Sequence, residues 1–278
     1  MKMQDQPRQL PSRAGQTWLI DGIRIFHRQP LVWVLSLMTY WAGLVMVGIL
    51  PVVGLFLPLL FTPGLGFGFI VLAEAVDRQD PAKPATPTLL LAGFRDGHAR
   101  SMLQLGLAYL AGLTIVLLLA WLVDGDQIGS MMRDGPSQEE VEVMRKSLPM
   151  GLLVAMLAYI PLMMALWFAP QLVVWRGFTV GKALFFSFFA VWRNKAAFLR
   201  YSLAWLVLIF LVSGLSSLIM DLFQINAQSL LVTLLPVSML LLAIAQASFY
   251  ASTRDVFQED DSAVAPAVAT APPPPPES

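Results

Sequence analysis

The chain has no cysteine and only two histidines among 278 residues. The first absence excludes disulfides, thiolate metal sites and thiol nucleophiles. His27 and His98 stand apart, without carboxylate pairs beside them, so no metal-ligand set is expected. Charge is also scarce. Charged residues make up 13% of the chain and hydrophobic ones 57%, where a soluble domain carries about 25% charged. The formal net charge is zero, which offers nothing for a nucleic-acid partner. No Asp, Glu, Lys or Arg occurs between Arg28 and Glu74, Arg100 and Asp124, Lys146 and Arg176, Arg200 and Asp221, or Asp221 and Arg254. A helix crosses a bilayer core with about 20 apolar residues. The first gap is long enough for two crossings and each other gap for one. The expected fold is therefore all-α and membrane-integral, with six transmembrane helices.

Residues 1–12 read as a disordered polar tail, 13–257 as a polytopic membrane domain, and 258–278 as a disordered acidic and proline-rich tail. The spans fall at about 31–50, 55–75, 102–123, 149–175, 198–220 and 230–250, with a hydrophilic loop at 124–148. The first 30 residues lack a short apolar core followed by a small-residue cleavage site, so no cleavable signal peptide is expected. Within the loop, Ser137 and Glu140 match a capping box and predict a surface helix over 138–147. DGDQIG at 124–129 begins like a calcium loop, but Ile128 and Gly135 stand where the fifth and twelfth positions need oxygen ligands.

The basic residues predict the topology. With the N-terminus in the cytoplasm, 15 of the 18 Lys and Arg residues flank the spans on the cytoplasmic side. The other three lie in the 124–148 loop beside six acids, which places that loop on the opposite side of the membrane. Both termini are then expected in the cytoplasm.

What is present in quantity is a threefold pattern. A short basic and aromatic stretch precedes one apolar span, and a second span follows that carries proline and one polar residue. The polar residues are Glu74, Gln171 and Gln246, and each lies ten or eleven residues after a proline: Pro63, Pro161 and Pro236. From Phe26 to Glu74 is 48 residues and from Trp192 to Gln246 is 54, while Phe94 to Gln171 is 77. The 25-residue loop at 124–148 accounts for most of that excess. The pattern predicts three repeats of an amphipathic helix plus a helix pair, related by an axis along the membrane normal.

Two sets of residues are candidates for function. Glu74, Gln171 and Gln246 could line a polar interior, since an ionisable group within a span marks a functional site by default. Glu74 also lies near the boundary, with Arg78 four residues on in the favourable order for a helix ion pair. Amides in spans commonly serve as interhelical glue. The second set is basic: Arg24, Arg28, Arg95, Arg100, Lys182, Arg193 and Lys195. Set among Phe185, Phe188, Phe189 and Trp192, the last three suit in-plane helices at the headgroup level. Gly64 and Gly68 form a small-xxx-small pair that predicts close helix packing. No catalytic constellation, cofactor motif or metal set emerges, so an enzyme is not expected.

The segment LWFAPQLVVWRGFTVGKALFFSFFAVWRNKAAFL at 166–199 resembles a family of uncharacterised polytopic inner-membrane proteins of Gram-negative bacteria. That resemblance extends over about 13–257 and implies a multi-helix layout without defined catalytic residues. More distantly, the layout is similar to the membrane domain of glycerophosphodiester phosphodiesterases. That likeness implies no activity here, because the soluble catalytic domain has no counterpart in the sequence. Two functions are expected. One is a non-enzymatic inner-membrane protein in membrane organisation, lipid interaction or scaffolding, with membrane lipids and a membrane-protein partner or second copy as partners. The other is a transporter or channel for a small solute, ion or lipid using Glu74, Gln171 and Gln246.

Overall fold

A computed structural model describes residues 7–51, 53–134, 150–223 and 227–257. Among these there are nine α-helices, one 3-10 helix and no strand. In chain order they are α1 (Ala14–Arg28), α2 (Pro30–Gly48), α3 (Val53–Arg78), a 3-10 helix η1 (Pro87–Phe94), α4 (Ala99–Asp134), α5 (Met150–Leu166), α6 (Ala169–Arg176), α7 (Val180–Arg193), α8 (Lys195–Phe223) and α9 (Ala227–Phe257). Six stretches are long and apolar enough to cross a bilayer: Pro30–Gly48, Val53–Arg78, Ala99–Gly125, Met150–Arg176, Lys195–Ile219 and Pro236–Phe257. They coincide with the six spans expected from the charge gaps, within a few residues at most ends. The surface helix expected at 138–147 and the tail at 258–278 lie outside the described residues. Residues 1–6 do so too, but 7–12 are tied down. The Arg8 amide donates to the Val256 carbonyl at 2.9 Å and the Leu10 amide to Asn194 Oδ1 at 2.8 Å.

Lipid tails are as apolar as leucine, so spans associate through close packing and internal hydrogen bonds. Here glycine and alanine supply the close approach. Helix α1 is wedged between α8 and α9. Gly15 faces the backbone of Ala197 and Tyr201 on α8. Gly22 faces α9, where a Cβ would lie 2.8 Å from both the Ile244 carbonyl oxygen and Ser248 Cβ. On α9 the face that receives α1 and α3 carries Ala243, Ala247 and Ala251, all buried. The Gly64/Gly68 pair does pack closely, though against η1 and not against another span. Gly64 lies under the Phe94 ring and Gly68 against the Leu90 backbone. The second amphipathic stretch is accordingly a 3-10 segment pressed on α3, starting at Pro87.

The fourth span is broken, where one helix from 149 to 175 is expected. Trp167 and Phe168 separate α5 from α6. Pro170 has no amide hydrogen for the Leu166 carbonyl. Two residues earlier, the hydroxyl of Ser187 on α7 takes the place of a backbone bond. It accepts from the Phe168 amide at 2.9 Å and donates to the Met164 carbonyl at 2.8 Å. A side chain inserted into the backbone ladder kinks a helix. This one also fastens α7 to the kink. At the opposite end of the bundle Asp124 interrupts α4 with a non-helical φ/ψ. Its carboxylate accepts from the Gly151 amide at 2.5 Å, which caps the start of α5.

Candidate functional site

The short elements α1, η1 and α7 all connect at one end of the bundle. That end holds the starts of α2, α4 and α8 and the ends of α3, α6 and α9. Most of the chain's chemistry is there, in three neighbouring arrangements.

The first is an ion cluster joining α1, α3 and α9. Arg254 near the end of α9 contacts three carboxylates: Asp21 at 2.7 Å, Asp77 at 3.1 Å and Asp255 at 3.2 Å. Arg28 holds Asp77 from α1 at 2.8 Å and also donates to its backbone carbonyl, and Arg24 holds Asp21 at 2.6 Å. The Trp18 indole donates to Asp255 at 3.0 Å and the Tyr250 hydroxyl to Asp77 at 3.4 Å. Three acids face three arginines, so the cluster is neutral as a whole. A guanidinium has five donors in a fixed fork, which lets one residue serve several carboxylates. Asp21 lies on the face of α1 that carries the exposed Thr17, Arg24 and Arg28. It is buried, because α9 brings Arg254 to it.

The second arrangement is the outer face of α7. Phe185, Phe189 and Trp192 are about half exposed and recur at helical spacing. Ala183, Ser187, Ala190 and Val191 are buried against the bundle. Lys182 Nζ lies 4.0 Å from the Phe178 ring centre, and Lys195 Nζ lies 5.1 Å from that of Trp192. Arg193 is exposed between them. Aromatic rings beside ammonium groups at the end of an apolar bundle match the chemistry of the acyl–headgroup boundary. The Asn194 amide, where α7 ends, donates to the Arg8 and Ala190 carbonyls, both at 2.9 Å. The N-terminal segment thus braces the α7–α8 corner.

The third is a pocket of about 490 Å³ where α3 ends. Gln79, with a left-handed φ of 50°, stops the helix and turns the chain back. Val71, Glu74, Ala75 and Arg78 of α3 form one wall, and Asp80, Lys83, Pro84, Thr86 and Leu89 the other.

The candidate residues divide among these places. Glu74 pairs with Arg78 at 3.0 Å, as the i, i+4 spacing predicts, and lines the pocket. Gln171 is buried at the α6–α9 contact. Its amide donates to the Trp167 carbonyl at 3.3 Å and to Thr253 Oγ1 at 3.4 Å, while Oε1 has no hydrogen-bond partner among the described residues. Gln246 is half-buried on α9 and does not line the pocket. The three polar residues are therefore not gathered around that pocket. Of the basic set, Arg24 and Arg28 belong to the ion cluster. Arg95 donates to the Thr88 carbonyl at 3.0 Å, Arg100 is exposed at the start of α4, and Lys182, Arg193 and Lys195 flank the α7 face. Among the described residues no three His, Asp or Glu side chains are placed to hold a metal ion. Arg254, Asp77, Asp255 and Ser187 were not singled out by sequence. The one available signal was that Asp77 and Arg254 each lie within a few residues of an apolar stretch on the same side.

The chain is 34% identical over 259 residues to a protein of Burkholderia thailandensis described as a probable inner membrane protein, a match covering 90% of this chain and 93% of the other. No family model matches the chain, and no solved structure does.

Proposed function

From the premise that the chain belongs to the family of that Burkholderia inner membrane protein, we propose that this multi-pass inner-membrane protein acts on its lipid surroundings without catalysing a reaction. It gathers anionic lipid along α7. The observation that carries this reading is the exposed Phe185, Phe189 and Trp192 face bordered by Lys182, Arg193 and Lys195. Each such cation near an anionic surface contributes about 1 kcal/mol. We read the three successions of short element, span and proline-bearing span as internal repeats, of which only the third keeps an outward aromatic face. We also place the basic end in the cytoplasm, on the 15-to-3 division of Lys and Arg. A transport path through Glu74, Gln171 and Gln246 draws less support, because Gln171 is engaged in a helix contact and Gln246 stands apart from the pocket at Glu74.

Two measurements test this. Lipids that co-purify with the wild-type protein should be enriched in phosphatidylglycerol over the bulk membrane. The triple variant Lys182→Gln, Arg193→Gln, Lys195→Gln should return that ratio to the bulk value, and an unchanged ratio would refute the reading. A reporter fused after residue 135 should be periplasmic and one fused at residue 85 cytoplasmic; the opposite pattern reverses the orientation.

A further inference from the structure

The pocket at the end of α3 has a composition that the α7 face does not share. Its lower wall is apolar, with Val71 and Ala75 on the span and Leu89 on η1. Its rim carries two cations, Arg78 and Lys83, and two anions, Glu74 and Asp80. The chain is folded to bring these together. Asp80 accepts from the Ala82 amide at 2.9 Å through its side chain and from the Lys83 amide at 3.0 Å through its carbonyl. That turn sets Lys83 in the wall opposite Glu74. Val71 lies about two turns inside the end of α3 and Glu74 and Ala75 about one, Arg78 is its last residue, and Asp80 and Lys83 lie beyond it. The pocket therefore straddles the boundary between acyl chains and headgroups.

We propose that this pocket binds one phospholipid of the phosphoethanolamine class, with its phosphate on Arg78 and Lys83 and its primary ammonium on Glu74 and Asp80. The inference rests on the reading that this end of the bundle works on lipid. The volume falls within the range of small-molecule sites, about 300–1,000 Å³. A guanidinium binds phosphate oxygens through parallel donors, and Lys83 adds a point charge. Two carboxylates in the rim oppose a purely anionic headgroup. They also favour an ammonium that donates hydrogen bonds over a choline, whose methyl groups block donation. The rim has no net formal charge, so a zwitterion enters it without leaving an unbalanced charge. The apolar wall selects a lipid over the free headgroup.

Delipidated full-length protein in detergent provides the test. Retained lipid is counted by native mass spectrometry after addition of palmitoyl-oleoyl phosphatidylethanolamine, phosphatidylcholine or phosphatidylglycerol. The wild type should retain one phosphatidylethanolamine in preference to phosphatidylcholine. Lys83→Gln, at an exposed position, should weaken that retention about tenfold, the loss of one charge-assisted contact. Glu74→Gln should bring the preference over phosphatidylcholine to about one. Soluble phosphoethanolamine should not displace the lipid. The proposal is overturned if both variants retain phosphatidylethanolamine as the wild type does, if phosphatidylglycerol retention falls equally in them, or if soluble phosphoethanolamine displaces the lipid. The α7 triple variant separates the two readings. It should lower phosphatidylglycerol retention and leave the phosphatidylethanolamine untouched, so either can fail alone.

Discussion

Helices α8 and α9 are neighbours in sequence, both long and both apolar, yet they live in different surroundings. Across an 18-residue apolar stretch of each, none of α8 is buried and 44% of α9 is. Helix α9 buries Ala243, Ala247 and Ala251 together with Ser248, Ser252 and Thr253. Helix α8 turns Leu203, Val207, Phe210, Leu211, Leu215 and Leu218 outward. Among the described residues it packs on α1 and touches α7, with no comparable packing on another span. The lesson runs against the rule for soluble proteins. In a bilayer the more apolar of these two helices has the less reason to be inside, because lipid solvates it as well as protein does. Small and polar residues mark the interior, because they permit close backbones and need partners.

The widest test of that contrast is Arg254. Replacing it by leucine leaves Asp21, Asp77 and Asp255 facing one another without their shared cation. The expected cost is about 3–5 kcal/mol, read as a lower unfolding temperature in detergent. Arg254→Lys should recover part of it, since charge is restored but not the fork. A wild-type melting curve for the leucine variant would mean that the cluster does not hold α1 to α9.

A smaller loss is expected from Gly22→Val. The added Cβ meets the Ile244 carbonyl oxygen and Ser248 Cβ, each at 2.8 Å. The cost should be about 1–3 kcal/mol, typical of overpacking, and faster proteolysis near α1 would report it. If valine is tolerated without change, the wedge between α8 and α9 is looser than described. The smallest effect belongs to α8. Leu211→Ala and Leu215→Ala, at side chains 65% and 60% exposed, should each stay within about 0.5 kcal/mol of wild type. A loss of several kcal/mol at either would show that protein covers this face, and a concurrent change in oligomeric mass would identify a second copy as the cover.

Much of this was legible in the residues. The charge gaps located six helices, and the Gly64/Gly68 spacing announced a close contact. Glu74 and Arg78 were paired by their spacing alone, and their salt bridge measures 3.0 Å. The break at Trp167–Phe168 was not legible. Pro170 hints at it, but prolines at 63, 161 and 236 sit inside continuous helices. What distinguishes the fourth span is Ser187, supplied from another helix. Nor was the burial of Asp21 legible, since its face of α1 carries the exposed Thr17, Arg24 and Arg28 and its partner lies 233 residues away.

By itself the sequence determined that the chain crosses a membrane and where its helices lie, because both follow from local hydropathy and charge. Only the tertiary structure decided which apolar helix is interior, which acid meets which arginine, and that Glu74 opens on a pocket while Gln171 closes a helix contact. Those outcomes depend on small residues that let particular backbones approach. Burial in a bilayer is set by packing partners, which a single helix cannot specify alone.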